Sequence, residues 1–368
     1  MNVEAFRIIE PVWVLIIGIL ISIIPYLTEK SIIFGVRVPT DKINSDTVRK
    51  MKKIYVSITF ILTIILTVLT YLLSSYLLVI TFFMPLFMVL VEFMVYLPEH
   101  YSLERIKRDE QWEFNASSVT GVFNVEDGKK FPWFFTLPGI LVLVSLFVTG
   151  ILDYKSIPER FATHYNASGI ANAYSTKSIE SVFILGFISI IITIMMILIA
   201  YVIARTPLKT DNASPHGTER VVIYQERMVY LTLLTPVFIN SSLLIGSFGE
   251  WGIIKENVFL ILIPVFLLII FVIAISVKTG QLGSNIKIPE SKGPENTIPD
   301  NSVSDNRNDD SLWKAGVIYW NKNDPRIMVP KRFGVGYTIN FAHPAGKVIL
   351  VLIIAIPVII VISVLFLH

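Results

Sequence analysis

Eight long apolar runs divide this chain, at 11–27, 54–73, 76–97, 133–152, 179–203, 228–248, 258–277 and 348–367, and none contains Lys or Arg. Each is close to the roughly 20 residues of helix that cross a hydrocarbon core. The runs are continuous and do not alternate, so they predict helices and not the strands of a closed barrel. Only Ser74 and Ser75 separate the second and third runs, which leaves a helical hairpin or one long bent element open there. The expected fold is an all-α, polytopic transmembrane bundle of about eight spans.

The polar segments between the runs fix the organisation. Residues 1–132 read as an N-terminal transmembrane region with its loops, and 133–204 as a span-loop-span unit around a polar loop at 153–178. Residues 205–277 supply spans six and seven. Pro, Asn, Asp and Ser then dominate 278–311, a segment without aromatics that reads as a disordered linker. Order is expected again in a module at 312–347, with short strands at 317–320 and 337–341 around a turn, before a last span at 348–368. The alternation over 117–125, ending at Asp127-Gly128, predicts a hairpin. Asp46 is placed to cap a basic helix entering the second span. Leu103, Ile106 and Trp112 predict a short helix lying on the membrane surface.

Charge orients the bundle. The segments 28–53, 98–132, 204–227 and 278–347 carry 26 of the 31 Lys and Arg, and the alternate segments carry 5. By the positive-inside rule the first set is cytoplasmic, so both termini and the 153–178 loop face out. The N-terminus lacks a small-residue cleavage site, and its first run reads as a retained span. A net charge of +3 gives no reason to expect direct contact with nucleic acid. The lipid bilayer is the one partner that composition itself requires.

Little catalytic chemistry is legible. There are no cysteines, and the motifs H-E-x-x-H, G-x-S-x-G and the phosphate loop do not occur. The five histidines are scattered, so no metal site and no cofactor are expected, and the reading is non-catalytic. Glu92 falls inside the third run, where an ionisable residue is a functional candidate. Its place just before Pro98, however, suggests a position at the headgroups within reach of water. Two rival functions use particular residues. A transporter or channel would use Glu92, Asn240 and the prolines of the spans. A membrane enzyme acting on lipid or envelope precursors would use Asp153, Glu159 and His164. Capping and turn formation explain the same polar residues more simply.

The loop S-I-P-E-R-F-A-T-H-Y-N-A-S-G-I-A-N-A-Y-S-T-K between two spans resembles the small extracytoplasmic domain of bacterial SdpI-type membrane proteins, at Pro158, His164, Asn166, Gly169 and Lys177. F-G-V-R-V-P followed by a basic helix resembles a subgroup of these proteins. The segment W-K-A-G-V-I-Y-W-N-K-N-D-P-R-I-M-V-P-K-R-F-G-V-G-Y-T-I-N-F resembles a second uncharacterised domain found with the first. The resemblance implies a protein of the bacterial cytoplasmic membrane, in immunity against a secreted peptide or in signalling through a cytoplasmic regulator. It supplies no catalytic residues. The chain departs from the family in its spans after the loop and in its added C-terminal module. Asp153, Pro158, His164, Asn166, Gly169 and Lys177 are then the expected ligand-sensing positions. Trp313, Tyr319, Trp320, Arg326, Lys331, Arg332 and Phe333 are the expected partner-binding set, because aromatics and Arg dominate binding hot spots.

Overall fold

The computed structural model describes residues 3–39, 41–73, 83–112, 120–123, 130–165, 171–211, 217–255, 257–288, 309–353 and 355. Seven helices among them are long and apolar enough to span a bilayer. They are α1 (Val3–Leu27), α2 (Asp46–Leu73), α3 (Met84–Asp109), α4 (Leu137–Leu152), α5 (Ile179–Arg205), α6 (Gly217–Glu250) and α7 (Val258–Thr279). Their outward faces carry Ile, Leu, Val and Phe, as lipid contact requires. An eighth, α8 (Pro344–Ile353), begins the last run. The chain is a multi-pass membrane protein.

The helices form two groups. In the first, α1 packs on α2 and α3, and Gly18 lets the α1 backbone lie against Thr63 and Met88. In the second, α6 is central and touches α4, α5 and α7. Asn240 of α6 donates to Gly139 O at 3.1 Å and to Thr193 Oγ1 at 3.0 Å, which joins three helices through one side chain. Trp13 of α1 stacks on Phe266 of α7 at 4.6 Å and ties one group to the other.

Five strand pairs complete the described residues. They join β1 (Ile32–Ile33) to β2 (Val36–Arg37), β3 (Thr120–Phe123) to β6 (Leu208–Asp211), and β4 (Arg160–Tyr165) to β5 (Ala171–Thr176). In the C-terminal module β7 (Trp313–Lys314) pairs with β8 (Ile318–Tyr319), and β9 (Met328–Pro330) with β10 (Tyr337–Ile339).

Several local expectations are corrected. Strand β3 pairs with the distant β6, while the Asp127-Gly128 turn lies outside the described residues. The two strands foreseen in the module exist but pair with β7 and β9 and not with each other. Ser45, and not Asp46, accepts the Val48 N–H at the start of α2. Pro98 does not end the third span: α3 runs through it to Asp109, and Leu103 is a core residue, not part of a separate surface helix. Glu92 is consequently 1% exposed and out of reach of water. Of the expected linker 278–311, residues 289–308 lie outside the described residues, while Gln281 at one end and Asp309 and Asp310 at the other are packed into the bundle.

Candidate functional site

The site is built where two tight turns meet. Phe34 and Gly35 link β1 to β2 with positive φ of 46° and 74°, and Ala315 and Gly316 turn between β7 and β8 with φ of 48° and 68°. A Cβ on Gly316 would lie 2.5 Å from Tyr96 Oη and 2.9 Å from Gly35 Cα, so only glycine lets the turns press together. Helix α3 holds them from below. The Tyr96 hydroxyl lies 3.0 Å from the carbonyls of both Phe34 and Ala315, and His100 Nδ1 lies 2.8 Å from Phe34 O. A carbonyl can only accept, so Nδ1 carries the His100 proton. These bonds hold Phe34, fully buried, in a conformation costly for a bulky residue.

Beside the turns sits an ionic cluster. Arg332, 2% exposed along its side chain, places its guanidinium between Asp309 and Asp310 and donates to Gly35 O at 2.9 Å. Lys107 Nζ reaches Asp310 at 2.5 Å, and Arg37 Nε lies 3.4 Å from Asp309. Desolvation alone would raise the Asp310 pKa. The Arg332 charge and the Lys107 contacts outweigh it, and the carboxyl titrates below its ordinary range. Next to Arg332, Phe333 enters the first helix group, 4.5 Å from the Tyr96 ring and 6.3 Å from Tyr55.

The same loop is gripped from the other side. Gln281, just past α7, accepts from Gly336 N–H at 2.9 Å and donates to Lys331 O at 2.7 Å. Tyr224 of α6 donates to Gly336 O at 2.7 Å and stacks on Tyr337. Residues 331–337 therefore clamp both helix groups at one end of the bundle. An open cleft of about 360 Å³ lies beside the cluster, with Glu104, Arg108, Trp112 and Ser311 in its wall.

At the opposite end, Ile157 and Phe161 of the β4–β5 hairpin pack with Leu146, Val182, Phe183 and Trp251. Trp251, directly after α6, donates to Val182 O at 3.2 Å. Helix α6 thus holds the module at Tyr224, near its beginning, and the hairpin beside its end at Trp251, about 40 Å of helix away.

The expected sensing residues separate. Asp153 caps α4 through its backbone, and its carbonyl accepts from Ser156 and Ile157. Pro158 sits against Gly252. Lys177 staples the hairpin base, donating to Ile157 O at 2.9 Å with Glu159 at 3.5 Å. Asn166, Gly169 and the His164 side chain lie outside what is described.

The partner-binding set also divides. Trp313 and Tyr319 are buried with Val329 in the module's own core. Arg326 is spent on Asp324, whose carboxyl falls to about 2: desolvation opposes this, and hydrogen bonds from Arg326 prevail. Arg332 and Phe333 hold the module to the bundle. Trp320 and Lys331 remain exposed, with Lys314 Nζ 4.5 Å and Lys347 Nζ 5.6 Å from the Trp320 ring. Sequence reasoning missed Tyr96, His100, Lys107, Asp309, Asp310, Tyr224 and Gln281. The spacing of Tyr96, His100, Leu103 and Lys107 on one helical face was the available signal.

Residues 140–190 match a domain of unknown function, DUF1648. Residues 322–347 match a family of unknown function, DUF5808. The first covers the hairpin, most of α4 and the start of α5; the second covers the Asp324–Arg326 pair, the clamp loop and β10. They fit an uncharacterised kind of membrane protein. No curated protein and no solved structure matches the chain.

Proposed function

We propose that the protein relays a signal across the bacterial cytoplasmic membrane without catalysing a reaction. The observation that carries this reading is α6, one helix seated on the hairpin at one end and on the module at the other. The hairpin is the outer receiver, for an envelope-active peptide or a related stress, as in immunity proteins. The module is the inner output, and Trp320 with Lys314 and Lys347 is the surface it offers a cytoplasmic regulator. Pro236 lies inside α6 and removes one backbone hydrogen bond near its middle, a natural point of give.

The reading needs the hairpin and the module on opposite faces, with the hairpin outside. The absence of cysteine makes this testable with single thiols. Tyr174→Cys, on the exposed part of β5, is expected to react with a membrane-impermeant thiol reagent in intact spheroplasts. Lys322→Cys, exposed on the module, is expected to react only after lysis. Labelling of both from the same side, or of the module alone in intact cells, would rule the relay out.

A further inference from the structure

Helix α3 presents a single buried stripe: Met88, Glu92, Tyr96, His100, Leu103 and Lys107. Its lower members belong to the module junction, but Glu92 does not. Its Oε1 accepts from Thr63 Oγ1 at 3.3 Å, and its Oε2 is buried without any hydrogen-bond partner. The Tyr55 hydroxyl and Thr67 Oγ1, both on the facing helix α2, are also buried without a partner. A carboxylate left in this state is costly, because burial removes its hydration and nothing replaces it.

Among the described residues, the surrounding elements offer no free cation. Helix α1 brings Gly18 against Thr63 and Met88, and its residues 11–25 include no ionisable side chain; Glu10 lies two turns beyond Gly18. Helix α2 contributes Tyr55, and its Lys52 and Lys53 lie towards the module end. On α3 itself the neighbours are Tyr96, Glu99 and His100. From the module, Arg332 approaches the stripe at Tyr96 but is engaged by Asp309 and Asp310.

We infer that Glu92 is an intramembrane proton-binding site whose charge state sets how firmly the C-terminal module docks on the first helix group. A bound proton keeps the carboxyl neutral and turns Oε2 into a donor. Its loss leaves a bare charge one turn above Tyr96, the residue that supports both turns and the Phe333 plug. The charge draws in water or a counter-ion, and the plug loosens. This input is separate from the hairpin and does not depend on the relay reading.

The test uses the full chain in proteoliposomes with two readouts. Infrared difference spectra are expected to show a protonated-carboxyl band that survives in Glu10→Gln, disappears in Glu92→Gln and shifts in frequency in Thr63→Val. A thiol introduced by Val36→Cys, buried beside the Phe333 plug, is expected to label several-fold faster as pH rises through the loss of that band. Glu92→Gln, nearly isosteric and always neutral, is expected to leave only the rise with pH that ionisation of the thiol itself gives. The inference fails if the band persists in Glu92→Gln, or if it responds to sodium and not to pH. It fails equally if labelling of the Val36→Cys thiol follows the same pH profile with and without the carboxyl.

Discussion

Replacing Arg332 by alanine is expected to unlock the module from the first helix group, with a loss of about 3–5 kcal/mol in docking. The size follows from what is left behind. Asp309 and Asp310 lose the guanidinium that joins them, and Gly35 O loses its donor. Removing one partner from a buried charged network costs far more than exchanging the whole network for apolar groups. Read as the labelling rate of the Val36→Cys thiol, this is about two to three and a half orders of magnitude. Arg332→Lys is expected to fail nearly as badly, because one ammonium cannot serve Asp309, Asp310 and Gly35 O together as a planar fork does. The sign of the pH dependence follows as well. Asp310 titrates below its ordinary range in the docked state, so its contribution is complete above the ordinary value near 3.8 and is lost as pH falls below it. Asp324 behaves alike within the module, its share fading as pH falls towards about 2. An unchanged labelling rate in Arg332→Ala would mean that the cluster is ornamental.

Gly316→Val is expected to separate the module from the bundle without touching any charge. Two penalties act together there. A β-branched residue at φ of 68° costs about 1–2 kcal/mol in backbone strain. Its Cβ must also displace Tyr96 Oη, His100 Nδ1 or Gly35 Cα, all within 2.9 Å, and overpacking of this kind costs a further 1–3 kcal/mol or so. Gly336→Ala is the comparison. Gly336 also has positive φ, at 113°, but a Cβ there meets nothing within 4 Å. It should lose only the conformational share. Thermal stability in detergent, and protection of the Val36→Cys thiol from labelling, are therefore expected to rank Gly316→Val well below Gly336→Ala. Equal effects would show that the turns do not need their close approach.

The bundle was legible in the sequence because lipid imposes one strong rule: a spanning helix must be apolar along its whole length. The junction was not, because its parts are remote in sequence. Arg332 meets Asp310 and Gly35, and Gln281 meets Lys331 and Gly336, through contacts that no local pattern encodes. Trp313 and Arg326 carried the composition of a binding hot spot, yet the same composition builds a small core when the module is only 36 residues long. In the sequence Pro98 reads as a helix end, which would leave Glu92 within reach of water; α3 tolerates that proline and continues, so Glu92 stays buried against α2. In the loop, Lys177 read as a sensing residue serves the hairpin's own carbonyls.

The central claim is that α6 couples the hairpin to the module, and amide hydrogen exchange tests it most directly. Trp251→Ala removes a buried anchor under the hairpin, about 3–5 kcal/mol of local packing, some 40 Å of helix away from the clamp loop at Tyr224. Leu66→Ala opens a cavity at the same end of the bundle in the first helix group, among Val14, Met84 and Met88. Coupling through α6 predicts faster exchange at residues 335–340 in Trp251→Ala and unchanged exchange there in Leu66→Ala. Unchanged exchange in both variants, or an equal rise in both, would contradict it.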